Sequence, residues 1–225
     1  MTRLSYDPQT GRITPFMSDV EALPAGTTTN GKTFAPSALN AMGVSLRPLR
    51  AGDYEYVRYA ETSTGEMLAR WRFHGATPSA EDWMRQTFTG TLANFLVFTG
   101  DESTPPLGIV TAYDPRFDHG HARIAAARFK NERSERDDPS PVMIVGVGLL
   151  IRHLFASWNL RKLYMDVPEF NLAQFDRRLS EYFREEGRLR GHIFHSGSYW
   201  DQLTFALYRE TWDEVQDQLL LPGRA

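Results

Sequence analysis

Residues 138–167 read DPSP-VMIVGVGLLIRHLFASW-N-LRKLYMDV, and the fold turns on this stretch. Val142 to Trp158 carries apolar side chains around nearly every face, which predicts a buried helix rather than a surface one. Leu160 to Val167 predicts a strand. The polar run Arg133 to Ser140 predicts a loop leading into the helix. Before that loop, His119 to Lys130 has the alternation and small residues of a central strand.

Working outward, Asn171 to Glu186 predicts an amphipathic helix with Leu172, Phe175, Leu179, Tyr182 and Phe183 on one stripe. His192–His195 and Gln202–Arg209 flank Ser196-Gly197-Ser198, a hairpin signal. Toward the amino end, Leu107 to Tyr113 and Asn94 to Thr99 predict strands separated by the turn Gly100 to Pro106. Helices are predicted at Asp53–Arg70 and Ser79–Phe88. Asp53 is a candidate cap for the first, and Pro78, Ser79, Glu81 and Asp82 give the second a start signal. Val44, Leu46 and Leu49 predict a first strand. Residues 1–43 are rich in Thr, Pro, Gly and Asn and predict a loop-rich extension. Its Phe16, Met17, Phe34 and Leu39 give it something to bury. The folded domain is expected over 44–214, with a tail at 215–225.

Composition narrows the function classes. The 225 residues are 41% hydrophobic and 12% aromatic, enough for one large core. A formal charge of -3 points away from nucleic-acid or anionic-membrane partners for the chain as a whole. Cysteine is absent, which excludes disulfides, thiolate metal sites and a cysteine nucleophile. Met1 to Tyr6 lacks a signal-peptide run, and Val142 to Ile151 is too short to span a bilayer. The reading is a soluble, cytoplasmic protein with no membrane partner.

Four stretches then resemble the GNAT acyltransferase fold, and most closely its ribosomal-protein N-acetyltransferase-like branch. They are Leu46-Arg47-Pro48-Leu49 with Asp53; Leu107-Gly108-Ile109-Val110; Leu160 to Val167 with Asn171; and Glu186 to His192 with Tyr208-Arg209-Glu210-Thr211-Trp212. The match runs from about Val44 to Trp212. It implies an α/β (α+β) fold: a mixed, mostly antiparallel central sheet, helices on both faces, and a splayed fourth and fifth strand. It also implies an N-acyltransferase that moves an acyl group from an activated donor, acyl-CoA, to the amine of a small molecule or peptide.

The resemblance assigns residues as well. The donor's pantetheine arm would lie along Ala126, Ala127, Arg128 and Phe129, and the run Ala125-Ala126-Ala127 suits close approach to backbone. Its pyrophosphate would meet Met143 and Ile144 at the helix start, while Asn171 and Phe175 would touch the donor arm. Asp166 stands at the position of the family's base. The family's tyrosine acid falls on Arg178, so that role would pass to Tyr164, Tyr182 or a water. Glu66, Arg70, Trp71 and His74, with Arg72 and Phe73, would line the acceptor pocket.

The family's glycine-rich phosphate loop departs most from its pattern here. Its glycine positions fall on Pro141 and Met143 and its basic position on Asp138. Proline brings no N–H, and an aspartate brings negative charge to an anion site. Gly146 and Gly148 lie a turn further in and are read as close helix packing. A second reading therefore stays open: a GNAT-fold transferase drawing its acyl group from aminoacyl-tRNA. Arg161, Lys162, Arg177, Arg178, Arg184, Arg188 and Arg190 would form its basic surface, unless they pair with Glu181, Glu185 and Glu186. A third reading is a non-catalytic binding protein. His119 and His121 beside Asp118 are read as solvated turn residues, and no metal is expected. Monomer and homodimer both remain open.

Overall fold

The computed structural model describes residues 4–7, 12–15, 39–62, 67, 71–100, 104–129, 141–174 and 181–220. The chain divides into two units, Met1–Pro36 and Ser37–Ala225. In the first, β1 (Leu4–Asp7) and β2 (Arg12–Pro15) pair antiparallel, two short strands within the extension expected to be loop-rich.

The second unit holds an eight-stranded sheet. Its strands are β3 (Asn40–Ala41), β4 (Val44–Pro48), β5 (Thr91–Thr99), β6 (Gly108–Arg116), β7 (His121–Arg128), β8 (Lys162–Pro168), β9 (Arg184–His195) and β10 (Ser198–Tyr208). Their order is β3-β4-β5-β6-β7-β8-β10-β9. β7 and β8 run parallel, and every other neighbouring pair is antiparallel. The helices are α1 (Tyr54–Thr62, entered by a 3-10 turn at Ala51–Asp53), α2 (Ala80–Phe88), α3 (Pro141–Ser157) and α4 (Arg209–Leu220).

Strand alternation sorts the core onto two faces. Phe95, Val97, Val110, Ala112, Ala122 and Ile124 pack with α3 and α4. The residues between them, Leu96, Phe98, Ile109 and Ala127, pack with Val57 of α1, Trp83 of α2, and Phe73. α3 is buried as predicted: Leu149, Leu150, Ile151 and Leu154 are each 0% exposed. Gly146 and Gly148 serve packing. A Cβ on Gly146 would stand 3.1 Å from Val97, and one on Gly148 2.9 Å from Leu220.

Several boundaries move. Asp53 is not the cap; Arg50 occupies that position, and Asp53 accepts its N–H at 2.8 Å while binding the Arg47 guanidinium through both oxygens. The helix predicted to run to Glu186 ends earlier. A 3-10 turn occupies Glu169–Gln174, and by Arg184 the chain is in β9, paired with β10. Asn40 and Ala41, placed in the extension by sequence, join the sheet. α4 continues past residue 214 to Leu220, with Val215 and Leu220 in the core. The hairpin turn is as predicted: Ser196 and Gly197 both have positive φ, the geometry of a two-residue hairpin turn.

Candidate functional site

The fork between β7 and β8 is the feature that sets up a site. The two strands pair at His121 with Lys162, Ala122 with Leu163 and Arg123 with Tyr164, and there the ladder stops. On its other edge β7 stays paired to β6 through Arg128, and β8 stays paired to β10 through Pro168. Beyond the fork each strand therefore keeps one backbone edge facing the gap. Among the described residues no strand pairs with either facing edge, and buried amide groups need partners, so such an edge can receive water or a ligand. The first turn of α3 lies close by. The Met143 thioether packs 2.8 Å from where a Cβ of Gly108 would be, beside the Ala127 carbonyl. First-turn amides have no helical partner, although Pro141 contributes none.

The residues expected at the donor site divide. Ala126 is exposed, and Ala127 is buried against the α1 side of the core. Phe129 is fully buried and meets Tyr56 edge-on at 6.0 Å, so its ring is a core element. Arg128 is half-buried. Ile144 is 6% exposed, which leaves its backbone, not its side chain, for a ligand. Met143 turns its side chain down onto the sheet. Asn171 sits in the 3-10 turn after β8, and its Oδ1 is buried with no hydrogen-bond partner. Phe175 and the loop 130–140, including Asp138, lie outside the described residues, as does Arg178.

On the α1–α2 side of the sheet, the strands around the fork carry a polar belt. Lys162, Tyr164 and Asp166 alternate with Leu163, Met165 and Val167, which are buried in the α3 core. Arg123 Nη1 donates a short hydrogen bond to Asp166 Oδ2, and Thr204 Oγ1 donates to Asp166 Oδ1 at 2.7 Å. Tyr164 donates to Glu186 Oε2 at 2.9 Å, the Lys162 ammonium reaches the same oxygen at 2.7 Å, and Tyr208 donates to Oε1. Burial alone would raise the Glu186 carboxyl, but these three donors outweigh it and hold it at about 2. Burial, followed by the Asp166 charge, pushes the Tyr113 phenol up. Burial, with His119, Lys162 and Arg123 nearby, pushes His121 down.

The expected acceptor residues are placed differently from one another. Trp71 Nε1 donates to Glu61 Oε1 at 2.8 Å, Trp83 Nε1 donates to Oε2 at 2.7 Å, and Arg72 lies 3.2 Å from Oε1. Trp71 is thus tied to a fully buried carboxylate. His74 is exposed, and Glu66 and Arg70 lie outside the described residues. Glu61 escaped the sequence reading, although its place one turn after Val57 on the buried stripe of α1 was a signal.

Tyr182 packs against the α3 core, whereas Tyr164 stands at the fork. Of the arginine surface, Arg188 pairs with Glu185, Asp201 and Glu169, and Arg161 donates to the His119 carbonyl. Arg177 lies outside the described residues. His119 is 3.4 Å from Asp118, both exposed. Among the described residues no three His, Cys, Asp or Glu side chains are grouped to hold a metal.

No protein-family model and no curated protein matches the sequence. Solved structures do match the fold. The spermidine N-acetyltransferase of Vibrio cholerae, solved with CoA and spermine, superposes with a TM-score of 0.61 at 18% identity, covering 76% of this chain and 98% of that one. A crystal structure of a putative acetyltransferase gives 0.60 at 21% identity, covering 83% and 93%. A chimera built on the Vibrio cholerae enzyme gives 0.58 at 17%, covering 76% and 99%. The chain has the GNAT fold: a mixed, mostly antiparallel sheet with helices on both faces.

Proposed function

We propose that this protein is an N-acyltransferase that moves an acyl group from acyl-CoA to a primary amine. The observation that carries the reading is the fork, where β7 from Ile124 and β8 from Met165 part from one another and, among the described residues, no other strand pairs with their facing edges. A pantetheine arm has amides of its own and fits between two such edges as a partial extra strand. Met143 leaves the start of α3 free to face a phosphate, because its side chain packs on Gly108. Amides of Val142, Met143 and Ile144 would do the work that glycines do in other phosphate loops. The orphaned Asn171 Oδ1 supplies an acceptor for a donor-arm amide. The likeness to the ribosomal-protein branch rests on its four sequence stretches alone.

In this proposal the amine nitrogen attacks the thioester carbonyl, a C–N bond forms, and the C–S bond breaks. Asp166 accepts an N–H from the amine and orients its lone pair. The nitrogen becomes acidic once it is bonded to the tetrahedral carbon, and Asp166 or a water then takes its proton. The thiolate leaves and is protonated by solvent. Tyr164 already commits its hydroxyl hydrogen to Glu186, so its part is to shape the fork rather than to protonate the thiol.

Acetyl-CoA at a hundredfold excess over its dissociation constant should stabilise the fold by about 2.7 kcal/mol. An unshifted melting curve at millimolar acetyl-CoA would end the acyl-CoA reading.

A further inference from the structure

The Asp166 carboxylate is held from two sides, by strands of unequal freedom. Arg123 reaches its Oδ2 from β7, and Thr204 donates to its Oδ1 at 2.7 Å from β10. β7 parts from β8 after Arg123 and Tyr164, so the first contact spans the opening fork. β10 stays laddered to β8 from Lys162 to Pro168, and Thr204 is the residue directly opposite Asp166. The second contact is therefore indifferent to how wide the gap stands. The terminal torsion of an aspartate is broad, so a carboxylate gripped at one oxygen swings about that grip. A donor on the other oxygen stops the swing. Threonine suits the task, since its branched Cβ restricts the first torsion and keeps the hydroxyl aimed.

The edge strand β9 leaves Thr204 room to do this. The register slips between Thr204, opposite Gly187, and Phe205, opposite Glu185. Glu186 is the extra residue of this bulge, and its carboxylate crosses to Tyr164 and Lys162 of β8. The residue facing Thr204 is thus a glycine, where an added Cβ would stand 3.8 Å from the Thr204 Cβ and meet nothing nearer. Glycine brings no side chain to compete for the hydroxyl, whose proton goes to Asp166 instead. Resting on the acyltransferase reading, we infer that Thr204 is a positioning residue, which aims the Asp166 carboxylate at the amine bound in the fork. A carboxylate oxygen has two lone pairs, so Oδ1 can hold the threonine and still face an amine. Aim matters because a displacement of about 1 Å at a reacting group costs up to about a hundredfold in rate.

The test is thiol release by the full chain with acetyl-CoA and butylamine, the amine varied, on wild type, Thr204→Val and Thr204→Ser. Thr204→Val keeps the branched shape and removes the hydroxyl. It should lower kcat about tenfold while KM for butylamine stays within about twofold, and Thr204→Ser should return kcat to within about twofold of wild type. Placed on Asp166→Asn, Thr204→Val should cost no more than about a further twofold, because the two residues act as one unit. The inference is overturned if Thr204→Val keeps the wild-type kcat, if Thr204→Ser fails as badly as Thr204→Val, or if the valine costs its full tenfold on Asp166→Asn. Wild type that neither binds acetyl-CoA nor releases thiol ends the acyltransferase reading and this inference together. Wild-type turnover that Thr204→Val shares ends this inference alone.

Discussion

Arg123 and Asp166 join hands across the fork: the last paired residue of β7 donates to the first polar side chain of β8 beyond the pairing. The contact closes the base of the gap and fixes one oxygen of the Asp166 carboxylate. Thr204, directly opposite Asp166 on β10, fixes the other oxygen.

Asp166→Asn keeps the shape and the Thr204 contact while removing the charge. Turnover with acetyl-CoA and butylamine should fall by about a hundredfold, the low end for loss of a proton-transfer group. The melting temperature should move by only a few degrees. Thiol release and scanning calorimetry read the two effects, and undiminished turnover would take Asp166 out of the reaction.

Glu61→Ala should be the most damaging single change beneath the sheet. It strips the partner from the partly buried Arg72 and from two indole N–H groups. A loss of about 3–5 kcal/mol is expected in urea unfolding. Glu61→Gln, which keeps one acceptor, should cost less.

Glu186 gives stability a signature in acid. Its carboxyl titrates at about 2 in the folded chain against an ordinary value of 4.5. A depressed folded value stabilises above the ordinary value, and this contribution is lost as pH falls from about 4.5 through about 2. Wild type should therefore lose stability more steeply than Glu186→Gln across that window, measured as urea midpoints at each pH. Parallel slopes would remove Glu186 as the cause.

Gly108→Ala should fail for a reason of backbone, not side chain. Its new Cβ would stand 2.3 Å from the Ala127 carbonyl and 2.8 Å from the Met143 sulfur. Overpacking of this kind costs about 1–3 kcal/mol. The carbonyl cannot rotate away, so the upper part of that range is expected, with weakened acetyl-CoA binding because Met143 must lift.

The parts of the fold legible in the sequence were those with a strong periodic signal. α3 announced itself through Val142 to Trp158, and β5, β6 and β8 through alternation. β9 did not. Its Glu185, Glu186, Arg188 and Arg190 are mostly exposed on a sheet edge, and following Leu172 and Phe175 they extend a helical pattern. Pairing with β10 overrides that local preference. The candidate site was half legible. Asp166 and Tyr164 were picked out by the resemblance to the family's fifth strand, and both stand at the fork. Arg123 lay inside the predicted strand His119 to Lys130 with no role of its own, because its partner is 43 residues away and no spacing links them. Phe129 and Trp71 show the converse: aromatic residues near a site by sequence, yet spent on the core.

Along the open fork, the groups offered to a guest belong to the main chain, and every amino acid other than proline carries the same pair. Substitution by any residue but proline can reshape the walls of the gap without deleting its hydrogen-bonding edge. A recognition surface of this sort leaves no residue signature, which is how a chain with proline and methionine where the sequence resemblance expects glycines can still hold the opening intact.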